Sequence, residues 1–157
     1  MAIESPPTRL DLARLAKLEF PIVSYEVSRE KIAEYVVAIG DRNPLHCDPA
    51  AAQAAGYLDI IAPPTFASVF ASLPFRRALA DPEWVARSTI DVARILHGEQ
   101  RFDFDCPITP GDRLLVQCIV RRVEEKRELV FLYVGTRVEN ERGERMLEGT
   151  MTLVLRP

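Results

Sequence analysis

Between Thr65 and Leu73 the chain runs TFASVFASL, apolar almost all round and free of charge. A helix of that kind has no face to offer water and belongs inside the protein. The C-terminal half of the chain must supply its walls. Arg101–Asp105, Leu114–Val123, Leu129–Val138 and Met146–Leu155 concentrate Val, Ile, Leu, Phe and Tyr, and are expected to be strands. In the last of these, Leu147, Gly149, Met151, Leu153 and Leu155 alternate with Glu148, Thr150, Thr152 and Val154, the period of a half-buried strand. Val130–Val134 is apolar on both faces, which suits a central strand or one covered by a second subunit. The polar stretches Glu124–Arg127 and Asn140–Gly143 are expected to be hairpin turns. Long strands joined so tightly must run antiparallel. One charge-free helix and one antiparallel sheet have one economical packing, in which the sheet wraps the helix. The expected class is α+β.

The first half of the chain predicts further helices. Thr8 caps a short one reaching Leu18, and Phe20–Val27 comes next as a strand. Ser28 caps a second, with Ile32, Tyr35, Val36 and Ile39 at helical spacing. Asp48-Pro49 opens a third over Ala50–Ala55, ended by Gly56. Asp81-Pro82 starts another that carries the single tryptophan, Trp84. Residues 1–157 are expected to form one domain with a short N-terminal helical extension, about 1–19.

Composition narrows the function. At 48% hydrophobic and 27% charged residues the chain has the balance of a globular protein, not a disordered one. A net charge of -3 speaks against general nucleic-acid binding. No apolar run has the length of a membrane span, and the N-terminus lacks the pattern of a signal peptide, so a cytoplasmic location is expected. Three cysteines without ligand spacing and only two histidines give no sign of a metal site, and no cofactor is expected.

The candidate chemistry sits in Gly40-Asp-Arg-Asn-Pro-Leu-His46. Gly40 can leave the preceding helix in a left-handed conformation, and Pro44 stops another from resuming at once. An acid (Asp41), an amide (Asn43) and a base (His46) are thereby placed close together on a loop. Taken singly, Asp41 and Asn43 would pass for ordinary loop caps. The combination with His46 favours a catalytic role.

This loop, with Tyr35 before it and Asp48 and Ala50–Tyr57 after it, resembles the signature of R-specific enoyl-CoA hydratases and MaoC-like dehydratases. LHGEQRFDFDCPITPGDRL, from Leu96 to Leu114, is similar to the β half of the same group, especially its FAS1-like (MaoC dehydratase N-terminal) branch. The resemblance runs from about Phe20 to the C-terminus. It implies a hot-dog fold whose copies join edge to edge, with active sites near the interface. It implies a hydro-lyase that interconverts 3-hydroxyacyl and trans-2-enoyl thioesters of CoA or acyl carrier protein. Asp41 and His46 would take the acid/base roles on a shared water, and Asn43 would support them.

Hydration of an enoyl thioester needs a water deprotonated as it adds to the β-carbon and a proton delivered to the α-carbon. Burial beside an acyl tunnel is expected to raise Asp41 toward that task. The developing enolate needs N–H donors, which the start of the buried helix can supply. Many of these hydratases carry His-Gly where this chain has Pro63-Pro64, and proline has no N–H to give. The expected oxyanion and substrate contacts are therefore Pro64, Thr65 and Phe66, with the amides of Thr65 and Phe66 as donors. Pro-Pro-Thr-Phe is typical of the FAS1-like branch, whose members often serve as partner subunits that shape the acyl channel. A non-catalytic subunit of a heterodimer is thus one alternative, a hot-dog thioesterase another, an acyl-thioester binding module a third. A homodimer and a heterodimer both fit. Arg76 and Arg77 are candidates to meet phosphates of CoA or phosphopantetheine, in competition with Arg121-Arg122 and Lys126-Arg127. His97 is expected to be a strand-end polar residue, Cys118 a core residue, and Cys/His catalysis at Cys47 is disfavoured.

Overall fold

The computed structural model describes residues 10–156. In chain order the elements are α1 (Leu12–Leu15), β1 (Val23–Glu26), α2 (Arg29–Ile39), α3 (Pro49–Ala54), α4 (Ala67–Phe70), α5 (Leu73–Leu79), α6 (Pro82–Ser88), β2 (Ile95–Phe104), β3 (Arg113–Lys126), β4 (Leu129–Asn140) and β5 (Arg145–Leu155). Single 3-10 turns lie at Pro44–His46, Pro64–Phe66 and Val92–Arg94. No helix among the described residues is long and apolar enough to cross a membrane.

The strands form one antiparallel sheet in the order β1-β3-β4-β5-β2. Its inner face closes over α4 and α5, the hot-dog arrangement. Phe66, Ala67, Phe70 and Ala71 pack on Leu114, Val116, Val138 and Leu147. Phe75 and Ala78 pack on Cys118, Leu132, Val134, Met151 and Leu153. The interior therefore holds two clusters, one for each half of the central helix.

That helix is not continuous as expected. It opens as a 3-10 turn, runs one turn as α4, breaks at Ala71-Ser72, and restarts at Leu73. Pro74 accounts for the break. It has no N–H for the carbonyl four residues back, and its ring crowds that carbonyl. From the sheet, Thr136 Oγ1 donates to the Ala71 carbonyl at 3.4 Å and Cys118 Sγ at 3.5 Å.

Other differences are local. The first helix is shorter than expected and is capped by Asp11, while Thr8 lies outside the described residues. β2 begins six residues before the expected Arg101, at Ile95. Its pairing with β5 jumps from His97↔Leu153 to Glu99↔Thr152, leaving Gly98 as a bulge that breaks the period of two. The β3–β4 turn is at Arg127-Glu128 rather than within Glu124–Arg127. Both residues have positive φ (51° and 65°), the backbone that a two-residue hairpin demands. The caps at Ser28, Asp48 and Asp81 fall where the sequence places them.

Candidate active site

α2 turns Ile32 and Val36 inward, where they are buried in the first core cluster. Its end is marked by Gly40, in the left-handed region at φ 67°, with the Asp41 amide returning to the Val36 carbonyl at 3.0 Å. The chain then folds back on itself. Oδ1 of Asp41 accepts the backbone N–H of Asn43 at 2.9 Å, and Oδ1 of Asn43 accepts that of Leu45 at 3.1 Å. These two Asx turns deliver His46 to the end of the Pro44–His46 turn, 7% exposed. The loop is fastened from outside by Ile61 N–H, which donates to the Leu45 carbonyl at 3.0 Å.

Asp41 and His46 are in direct contact, Nδ1 to Oδ2, at 2.7 Å. The Asn43 amide first, and the His46 ring second, hold the Asp41 carboxyl below the usual carboxylate range. This reverses the expectation that burial raises it: the donors around Asp41 outweigh its desolvation. A carboxylate only accepts, so the Nδ1 nitrogen carries the proton. Nε2 of His46 bonds no group among the described residues. No fully buried side-chain polar atom there lacks a partner, so Nε2 opens to accessible space. The pair therefore leaves one imidazole nitrogen without a partner among the described residues, in a ring held and electrostatically backed by a carboxylate.

Asn43 does not reach His46 with its side chain. Its amide oxygen is occupied in building the turn, the ordinary loop role. At the other half of the expected site, Phe66 N–H already donates to the Pro63 carbonyl at 2.8 Å, and the ring is fully buried beside Tyr35 and Phe70. Phe66 therefore has no free donor, and as a side chain it is core. Pro64 is exposed and has no N–H. Thr65 N–H bonds no group among the described residues and is the remaining amide. Helical spacing alone marks Tyr35 only as part of an apolar face. Its hydroxyl donates to the Thr65 carbonyl at 2.9 Å and lies 3.5 Å from Ser68 Oγ, tying α2 to the start of the central helix.

A cavity of about 370 Å³ lies at the break between α4 and α5. Phe75, Met151 and Leu153 line it, with Ile95, His97 and Gln100 from β2. Ser68 and Arg76 also border it. Arg77 is exposed and does not. His97 lies on the inner face of β2 beside this cavity and contacts the Glu99 carbonyl at 3.2 Å. Among the described residues no cluster of three or more His, Cys, Asp or Glu side chains is arranged to hold a metal.

Comparison with known proteins adds the family. Residues 18–148 match the FAS1-like dehydratase domain region. A protein of Saccharopolyspora erythraea called "UPF0336 protein" is 40% identical over 147 residues, covering 94% of this chain and 92% of that one. Among solved structures, the HadBC (3R-hydroxyacyl-ACP dehydratase) complex of Mycobacterium tuberculosis is similar at TM-score 0.73 and 25% identity. The match covers 88% of this chain and 97% of that one. A MaoC-like dehydratase is similar at TM-score 0.74 and 26% identity over 90% of this chain and 43% of that one. The sheet wrapped on a broken helix, the loop ending in His46 and the matched stretch coincide, and the chain belongs to the FAS1-like dehydratase domain family.

Proposed function

We propose that the protein hydrates trans-2-enoyl thioesters of CoA or acyl carrier protein, and dehydrates the 3-hydroxyacyl thioesters in reverse. The observation that carries this is the 2.7 Å contact between Asp41 and His46, which leaves Nε2 of His46 open. In the forward direction Nε2 takes a proton from water as the water oxygen bonds the β-carbon. The electron pair of the double bond moves toward the thioester oxygen, and Thr65 N–H is the donor assigned to that charge. The imidazolium then returns its proton to the α-carbon. Water is added whole and no other reactant is needed. Asp41 acts through His46: it fixes the ring and stabilises the imidazolium. It is a positioning residue in this scheme, rather than a second base on a shared water. The cavity at the α4–α5 break is offered for the acyl chain, and Arg76 at its border for an anionic part of the substrate.

The test is the loss of enoyl-thioester absorbance with crotonyl-CoA and longer enoyl-CoAs. Wild type turns over, and His46→Ala loses about 10²–10⁴-fold in kcat. Equal inertness of wild type and variant at every chain length sinks the proposal. Release of free CoA thiol during turnover would favour a thioesterase instead.

A second reading has its own support. Pro64 removes one amide from the turn where the thioester oxygen would sit, and the similar HadBC structure is a complex of a 3R-hydroxyacyl-ACP dehydratase. On that reading the chain shapes the channel for a catalytic partner. Activity of the isolated chain decides between the two.

A further inference from the structure

α1 and α6 both pack on the second core cluster, Leu15 from one and Trp84 from the other. The indole of Trp84 donates to the Glu19 carbonyl at 2.7 Å, and the Phe20 ring lies 5.7 Å from that of Trp84. These contacts fix the two helices on either side of a cavity of about 480 Å³. It shares no lining residue with the cavity at the α4–α5 break. Its size is that of a small-molecule site, for which about 300–1,000 Å³ is usual.

Arg14, Lys17 and Arg87 line this second cavity. Arg14 and Lys17 are three residues apart on one helical turn, closed by the Lys17 N–H on the Arg14 carbonyl at 3.0 Å, so they share a side. None of the three cations forms an ion pair among the described residues. Arg87 commits only its Nε, to the Glu83 carbonyl at 3.3 Å, and its terminal nitrogens stay unbonded there. Elsewhere an arginine beside a carboxylate does pair, as Arg101 with Asp103 and Arg145 with Asp105. Here Asp11 and Glu19 share the lining without engaging the cations. Asp11 turns Oδ1 to the Arg14 backbone N–H at 3.0 Å, as the cap of α1. The lining is left positive in a chain whose net charge is -3. Like charges around one concavity repel, and an anion placed between them relieves that repulsion.

We propose that this cavity binds a small phosphate monoester, with the phosphate between Arg14, Lys17 and Arg87 and an apolar body against Trp84 and Leu18. One arginine fork satisfies both oxygens of a carboxylate, whereas a phosphate offers oxygens in several directions and suits cations that approach from two helices. Leu18 and the Trp84 ring give the uncharged part of the ligand a surface to cover.

Trp84 is the single tryptophan of the chain, so its fluorescence reports occupancy of this cavity. Titration of the full chain with phenyl phosphate at low salt is expected to shift the emission saturably. Inorganic phosphate, which lacks the apolar body, should bind more weakly, and added salt should weaken both. Arg14 and Arg87 are exposed, and Arg14→Gln and Arg87→Gln should each weaken phenyl phosphate about three- to tenfold. Arg76→Gln, at the border of the other cavity, and Arg142→Gln, between β4 and β5, should leave it unchanged. Circular dichroism checks that each variant folds. A free phosphate ester and the 3′-phosphate of CoA present the same chemistry. Competition by CoA but not by dephospho-CoA marks the second source, and its absence the first. The proposal is overturned if neither fluorescence nor calorimetry detects phenyl phosphate, or if inorganic phosphate binds equally well. It is overturned too if the Arg14 and Arg87 variants bind like wild type, or if Arg76→Gln or Arg142→Gln weakens binding as much as they do. Because the readout is binding at Trp84, absence of hydratase turnover would not touch it.

Discussion

Nδ1 of His46 lies 2.7 Å from Oδ2 of Asp41, while the other oxygen of that carboxylate receives the Asn43 amide at 2.9 Å. Acid and base are thus one unit, held by the loop's own backbone. Groups that act as a unit lose activity together, not in sum. Asp41→Asn should lower kcat about 100-fold, and adding it to His46→Ala should cost almost nothing further. Steady-state kinetics of the two single variants and the double variant check this. Fully additive losses would mean that Asp41 acts separately.

The same carboxylate makes stability depend on pH. Asp41, Asp59 and Asp105 are all held below the ordinary aspartate value of 3.8 in the folded protein, Asp41 chiefly by the Asn43 amide, Asp59 by Arg29 and Asp105 by Arg145. A depressed carboxyl binds its proton more weakly when folded than when unfolded. Its contribution is therefore present above the unfolded value and disappears as pH falls through the lower folded one. Urea midpoints should hold steady down to about pH 5 and then decline. In Asp41→Asn the decline should be shallower.

Two glycines on the sheet are expected to behave differently. A Cβ on Gly149 would lie 2.9 Å from the Arg101 carbonyl oxygen and 2.9 Å from Cδ1 of Phe102, a backbone atom and a half-buried ring. Gly149→Ala should destabilise by about 1–3 kcal/mol. The three atoms nearest a Cβ on Gly135 all belong to the Arg121 side chain, and Arg121 is exposed and can swing aside. Gly135→Ala should cost well under half as much. Thermal denaturation of the two variants side by side gives the comparison.

At the helix break, Thr136→Val keeps the shape and removes the hydroxyl that donates to the Ala71 carbonyl. Cys118 remains as a weaker donor. The expected loss is about 1 kcal/mol, read from a urea titration.

The antiparallel sheet is legible in the sequence because β5 alternates cleanly and the turns around it are polar. The loop is legible because glycine, proline and three polar side chains each force a local conformation. Features that depend on tertiary contact are not. Gly98 erases the period of two in β2, so half of that strand leaves no pattern. Arg127 and Glu128 adopt positive φ without being glycine, because strands β3 and β4 impose it. Pro74 marks either the end of one helix or the first turn of another, and its neighbours alone do not decide. The direct Asp41–His46 contact, and the prior commitment of the Phe66 amide to Pro63, are distances that no spacing in the chain encodes.

The break at Ala71-Ser72 divides labour inside the molecule. Phe66 and Phe70 belong to the cluster behind the loop, Phe75 and Ala78 to the cluster behind the cavity. Changes well separated in a core combine independently. Substitutions at Phe75 or Ala78 are therefore expected to act on stability independently of substitutions at Phe66 or Phe70. The interrupted helix gives the fold two interiors that can be repacked one at a time.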